Sequence, residues 1–313
     1  MATLAIAGVA GPALAQYPDR ATRIVVPFAP GGGADLTARL ISQHLSDALG
    51  KPVVVDNRPG AAGNIGTEQV ARAAPDGYTL LLASTATAVN VSMYRKLPFD
   101  TLRELTAVSL VATVPLVVAV HPGVPAQTVK ELVALAKAKP SALNYSSGGV
   151  GTANHLGGEL FKDVARVDIA HVPYKGGGPA LNDLIAGHVQ LQFGTVASMR
   201  DLVKAGRLRG LATTGTKRSS AMPELPTIAE AGFPGAEVTA WYGVFAPAAT
   251  PKVVIDRLST EIARIVRLPD VQESLKVQGS EGVGNTADEA NRFFRGEVET
   301  WTRVVKASNL YAD

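Results

Sequence analysis

Short aliphatic and β-branched runs alternate with amphipathic stretches along most of the chain. Arg23-Ile24-Val25-Val26 reads as a buried strand, and the segment after it carries Leu36, Leu40, Ile41, Leu45 and Leu49 near one helical face. Strand runs recur at residues 52–56, 79–83, 116–120, 143–145, 169–172, 189–193, 208–212 and 239–246. Helical patterns fall at 65–73, from Thr128 to Pro140, at 153–164, from Pro179 to Gly187, at 227–231, after Pro251 and over 286–310. Strands alternating with helices predict an α/β fold built on largely parallel sheets.

The junctions between strands and helices carry the candidate chemistry. Gly31, Gly32 and Gly33 follow the first strand and open the first helix. A glycine-rich turn of this kind aims free backbone N–H groups past the sheet, where a helix start also has a partial positive charge. One such turn alone is equally a tight connection with no ligand. The device recurs, however, at Ser146-Ser147-Gly148-Gly149-Val150-Gly151-Thr152 and at Tyr174-Lys175-Gly176-Gly177-Gly178. Ser84-Thr85-Ala86-Thr87 reads as a polar loop at another strand end, and Gly194-Thr195 closes one more. Ligands of open α/β sheets sit beyond such carboxyl ends.

Composition narrows the classes. A chain of 313 residues suits two domains. The net charge of +3 comes from scattered Lys and Arg with no basic run, which argues against nucleic acid. Cysteine is absent, so thiolate chemistry and disulfides are excluded. Residues 1–15 are small and apolar and end in Ala13-Leu14-Ala15, the shape of a secretory leader without its basic start. A secreted chain is therefore expected. No other stretch has the length and apolarity of a membrane span.

Reactive side chains are sparse. No nucleophile elbow, phosphate-binding Walker motif or zincin motif occurs, and the glycine run fails the dinucleotide pattern because position 36 is Leu. His44, His121, His155, His171 and His188 have no metal spacing. His155, one turn into the helix after Gly151-Thr152, is the histidine placed to face a ligand. Trp241 and Tyr242 read mainly as sheet core, with ligand contact as the lesser alternative. A chain rich in backbone donors and poor in nucleophiles favours binding over catalysis, with no metal and no cofactor. A secreted hydrolase pairing His155 with Ser146 or Ser147, and a sensor subunit that presents its ligand, are the alternatives.

Residues 27–39, Asn57-Arg58-Pro59-Gly60-Ala61-Ala62-Gly63-Asn64-Ile65-Gly66, Pro75-Asp76-Gly77-Tyr78-Thr79-Leu80, residues 94–100, 144–156, 171–176 and 205–209 and Pro226-Thr227-Ile228-Ala229-Glu230-Ala231-Gly232-Phe233 resemble, in order, Bug-type receptors of tripartite tricarboxylate transporters. The resemblance implies a two-lobed periplasmic binding protein with crossing hinge strands near 116–120 and 239–245. Lobe 1 would hold residues 16–118 and 239–313, and lobe 2 residues 119–238. It implies carboxylates held by Phe28, Ala29, Gly31, Gly32 and Gly33 on one lobe and by Ser146, Gly151 and Thr152 on the other. Asn64, Ser84, Thr85 and Thr195 are further lining candidates. It also implies a monomer that delivers its ligand to membrane subunits. Relatives resembling amino-acid receptors carry an acid near Gly194; its absence here points to a dicarboxylate without an amine, aliphatic or aromatic.

Overall fold

The computed structural model describes residues 17–277, 279–307 and 310–312. The expected leader over residues 1–15 lies outside them. The elements in order are β1 (Thr22–Val26), α1 (Gly33–Leu49), β2 (Val53–Asn57), a 3-10 turn (Ala61–Gly63), α2 (Asn64–Ala71), β3 (Thr79–Ser84), α3 (Thr85–Met93), α4 (Thr101–Glu104) and β4 (Leu105–Val120). Next come α5 (Val129–Ala138), β5 (Asn144–Ser147), α6 (Ala153–Ala165), β6 (Ala170–Pro173), α7 (Gly177–Ala186), β7 (Leu191–Thr195), α8 (Val196–Lys204) and β8 (Arg209–Thr213). The chain finishes with β9 (Thr239–Pro247), α9 (Lys252–Val266), α10 (Pro269–Val277), β10 (Glu281–Gly282) and α11 (Ala287–Ala307). Among the described residues no helix is long and apolar enough to cross a membrane.

The strands lie in the order β2-β1-β3-β9-β4-β7-β5-β6, with β8 and β10 also on β4. β2, β1 and β3 are parallel, as are β6, β5 and β7. Between these parallel groups β4 and β9 run antiparallel to their neighbours. The sheet is thus mixed, two parallel groups joined by antiparallel strands.

β4 is the joint. Its residues 105–115 pair with β9, and from Leu116 onward it pairs with β7 and β8 instead. Pro115, which has no N–H to give a ladder, ends the first pairing, and the Leu116 N–H goes to Thr214 Oγ1 at 2.9 Å. The chain crosses between halves again just before β9, where the Val238 N–H meets the Thr214 carbonyl at 3.1 Å. Hydropathy alone shows only residues 116–120, because Ser109, Thr113 and Pro115 interrupt the apolar run before them.

Both faces are covered. In the first half, Ala290, Phe294 and Val298 of α11 pack on Leu81, Leu110, Trp241 and Phe245. Ile41 and Leu45 of α1 and Leu258 and Ile262 of α9 join the core containing Ile24 and Leu80. In the second half, Leu181 and Leu184 of α7 and Met199 of α8 cover Val117 and Ala119.

Three elements differ from the sequence expectation. The polar run after Ser84 is the first turn of α3 and not a loop, since β3 feeds the helix directly and the Ser84 N–H is taken by Thr87 Oγ1 at 3.2 Å. α7 starts at Gly177, two residues before Pro179, because the first turn of a helix requires no N–H from the ring nitrogen. Residues 227–231 form one hydrogen-bonded turn, Ala231 N–H to Thr227 carbonyl at 2.9 Å, whose start bridges to Thr213.

Candidate functional site

Five α-helices begin at the seam between the two halves, each directly after a strand or its glycine turn. Their N-caps are Gly32 for α1, Ser84 for α3, Thr152 for α6, Gly176 for α7 and Thr195 for α8. The first turns of all five line one cavity of about 50 Å³, through Gly32, Gly33 and Ala34, Ser84 and Thr85, Thr152, Ala153 and Asn154, Gly177, and Thr195 with Ser198. Gly32, Gly176 and Thr195 make no side-chain cap, so three of these helix starts keep backbone donors for another partner. The rest of the wall is Phe28, Gly148, Gln192, Gly194, Ala240 and Tyr242. Among the described residues no charged side chain lines the cavity. Helix ends of one sign converging on an uncharged space make a site for an anion.

The halves touch around this space. The Ala29 N–H donates to the Lys175 carbonyl at 3.1 Å. A Cβ on Gly178 would stand 2.3 Å from the Pro30 carbonyl oxygen, and one on Gly32 would stand 3.4 Å from Gly177. In a second zone, a Cβ on Gly151 would stand 2.6 Å from Asn90 Oδ1. Bare backbone on both sides lets the turns meet this closely. Inside, a Cβ on Gly33 would stand 2.6 Å from the Tyr242 hydroxyl and 2.8 Å from Thr195 Cγ2. Burial pushes the Tyr242 phenol well above its ordinary range, so the hydroxyl stays protonated and able to donate.

Residues 37–310 match the profile described as the tripartite tricarboxylate transporter family receptor. The chain belongs to this receptor family. Among solved structures, the periplasmic binding protein BugD aligns with a TM-score of 0.91 at 34% identity, over 95% of this chain and 100% of that one. Rpa4515 of R. palustris, solved with adipate, aligns at 0.91 and 36% identity, over 94% and 98%. MatC of Rhodopseudomonas palustris, solved with bound malate, aligns at 0.88 and 29% identity, over 92% and 100%.

In this receptor seven of the thirteen expected site residues line the cavity: Phe28, Gly32, Gly33, Ser84, Thr85, Thr152 and Thr195. The other six lie outside its wall. The Ala29 N–H makes the bond to Lys175. The Gly31 N–H, at a φ of +87° suited to glycine, turns back to Asp35 Oδ2 at 3.1 Å. Arg39 Nε and Asn57 Nδ2 also donate to this carboxylate, each at 3.0 Å. Burial would raise the Asp35 pKa, but the bonds from Arg39, Gly31 and Asn57 outweigh it and hold the group ionised. Asn64 Oδ1 accepts from Asn90 Nδ2 at 2.8 Å. Ser146 Oγ donates to the Ala180 carbonyl at 3.3 Å.

Gly151 and His155 belong to a layer behind the wall. The Gly151 N–H donates to His155 Nδ1 at 3.1 Å, and the His155 ring lies against His171, centroids 4.3 Å apart. Burial, which the opposing pull of Glu159 only partly offsets, pushes the His155 imidazole down to about 4. Burial and then the neighbouring His155 push His171 to about 3. His155 pairs with neither serine of the hydrolase alternative. Ser147 Oγ meets His171 Nε2 at 2.6 Å, and Ser147 is wholly buried and absent from the cavity wall.

Several wall residues escape the sequence reading. Gly177 had a signal, since the third glycine turn was visible without its docking partner. Ala153 and Asn154 follow from Thr152 being an N-cap. Gln192 and Tyr242 carry no local signal: each sits mid-strand, and only sheet register turns Gln192 with Gly194, and Tyr242 with Ala240, to the cavity.

Proposed function

We propose that this receptor is an extracytoplasmic solute-binding protein that closes on a small dicarboxylate lacking an amine and hands it to the membrane subunits of a tripartite transporter. The strands up to Pro115 and from Thr239 onward belong to one lobe, and the strands from Leu116 to Thr213 to the other. β4 and the approach to β9 act as hinge, and closure brings the five helix starts around the ligand.

The observation that carries this reading is the convergence of five helix N-termini on a cavity without charged side chains. Two carboxylates are neutralised by such donors, and closure strengthens each contact by excluding water. An ammonium group finds no carboxylate partner in the wall. The adipate and malate in the related receptors are dicarboxylates without an amine.

Isothermal titration of the purified chain with malate, adipate and aspartate tests it. The expected outcome is saturable binding of at least one of the first two and none of aspartate. Absence of binding by every dicarboxylate tried, or steady conversion of a carboxylic ester to acid and alcohol, overturns it.

A further inference from the structure

Gln192 lies on the cavity wall and is 2% exposed. Its side-chain carbonyl Oε1 is buried and accepts no hydrogen bond from the described residues. A buried acceptor left without a donor destabilises a protein appreciably, so such a group marks a place that something else completes.

Four of the other hydroxyls of the wall are already engaged. Thr152 Oγ1 donates to the Gly149 carbonyl at 2.7 Å, Thr85 Oγ1 accepts from the Trp241 N–H at 3.3 Å, and Thr195 Oγ1 and Ser198 Oγ bond each other at 2.9 Å. The helix starts offer donors, which suit carboxylates. Gln192 offers an acceptor, which a carboxylate cannot satisfy because an ionised carboxyl has no hydrogen to give.

We propose that Gln192 makes the site selective for a dicarboxylate that also carries a hydroxyl. This rests on the receptor reading above and adds the third functional group of the ligand. The hydroxyl donates to Gln192 Oε1 while both carboxylates take helix N–H groups. An ammonium would also donate to Oε1, but it would set a full positive charge among five positive helix ends. A dicarboxylate with neither group leaves the amide carbonyl as unpaired as it is without ligand.

The test is calorimetric titration of the full chain with malate and succinate, which differ by one hydroxyl, alongside Gln192→Met. The wild-type protein is expected to bind malate at least about tenfold more tightly than succinate. Gln192→Met is expected to erase that ratio by weakening malate while leaving succinate unchanged or tighter. Where the Met variant does not fold, Gln192→Asn withdraws the carbonyl and is expected to lower the ratio in the same direction. Equal affinities in the wild-type protein, or a malate preference that survives either variant, overturn the assignment while leaving a dicarboxylate receptor in place. Failure to bind malate, succinate and adipate alike brings down the receptor reading and this assignment with it.

Discussion

The Ala29 N–H and the Lys175 carbonyl, 3.1 Å apart, form a main-chain hydrogen bond between the two halves of the receptor. Ala29 precedes the first glycine turn and Lys175 the third, so the bond pins the two turns edge to edge. Such a contact exists only because the flanking residues lack side chains: Gly176, Gly177 and Gly178 lie against Ala29, Pro30 and Gly32 with no room for a Cβ at most of these points. Under the proposed function the grip on a ligand and the fit of the turns are one geometry.

Gly178→Ala tests that geometry. Its φ is ordinary, and the clash is with Pro30 across the seam, 2.3 Å from the added carbon. Ligand affinity is expected to fall at least about tenfold, because the two turns cannot meet with the added carbon between them. Titration together with small-angle scattering, which reports the opened shape, checks it. Unchanged affinity would show that the contact is dispensable.

Tyr242→Phe removes one hydroxyl from the cavity without disturbing the strand. Loss of a neutral donor to the ligand is expected to weaken binding by about 0.5–1.5 kcal/mol, roughly two- to tenfold. Thermal stability without ligand is expected to stay the same, because that hydroxyl makes no bond within the described chain. Titration with the wild type's own ligand measures it.

Thr152→Ala acts on the scaffold. The hydroxyl accepts from the His155 N–H and donates to the Gly149 carbonyl, so it caps α6 and ties the turn before it. The variant is expected to lose about 1 kcal/mol of stability, the usual worth of an N-cap. Urea unfolding measures this directly; a smaller loss accompanied by a large drop in affinity would instead place Thr152 in direct contact with ligand.

His155 and His171 set a pH dependence. Their folded values, about 4 and about 3, lie below the 6.5 of a free imidazole. Above pH 6.5 folded and unfolded chains hold the same protons on them and stability is flat from this source. Below it the unfolded chain binds protons that the folded chain refuses, so stability falls as pH drops through 6.5 toward 4 and then 3. Each histidine contributes a slope of at most about 1.4 kcal/mol per pH unit. Urea titrations between pH 4 and 8 check this, and His171→Phe is expected to flatten the curve.

Much of the site was legible because glycines and N-caps announce themselves locally. Gly32, Gly33, Thr152 and Thr195 could be placed from strand–turn–helix order alone. What remained hidden depends on distance through space. That Gly31 spends its N–H on Asp35, that Gly151 spends its own on His155, and that Gln192 and Tyr242 face inward are all outcomes of register and docking. The long β4 was only partly visible for a related reason: a strand that changes partners at Pro115 has no single periodicity to read.

Both tryptophans of the chain donate to one carboxylate, Glu297 Oε2, Trp241 at 2.7 Å and Trp301 at 3.0 Å. Trp241 is sealed beside the cavity strand, whereas Trp301 borders a groove shared by α11, α6 and the crossing at Val238 and Thr239. Under the proposed closure, a swing of one half against the other changes the solvent around Trp301 while Trp241 stays buried. Intrinsic emission is then expected to shift on ligand addition, with no attached dye needed to follow it.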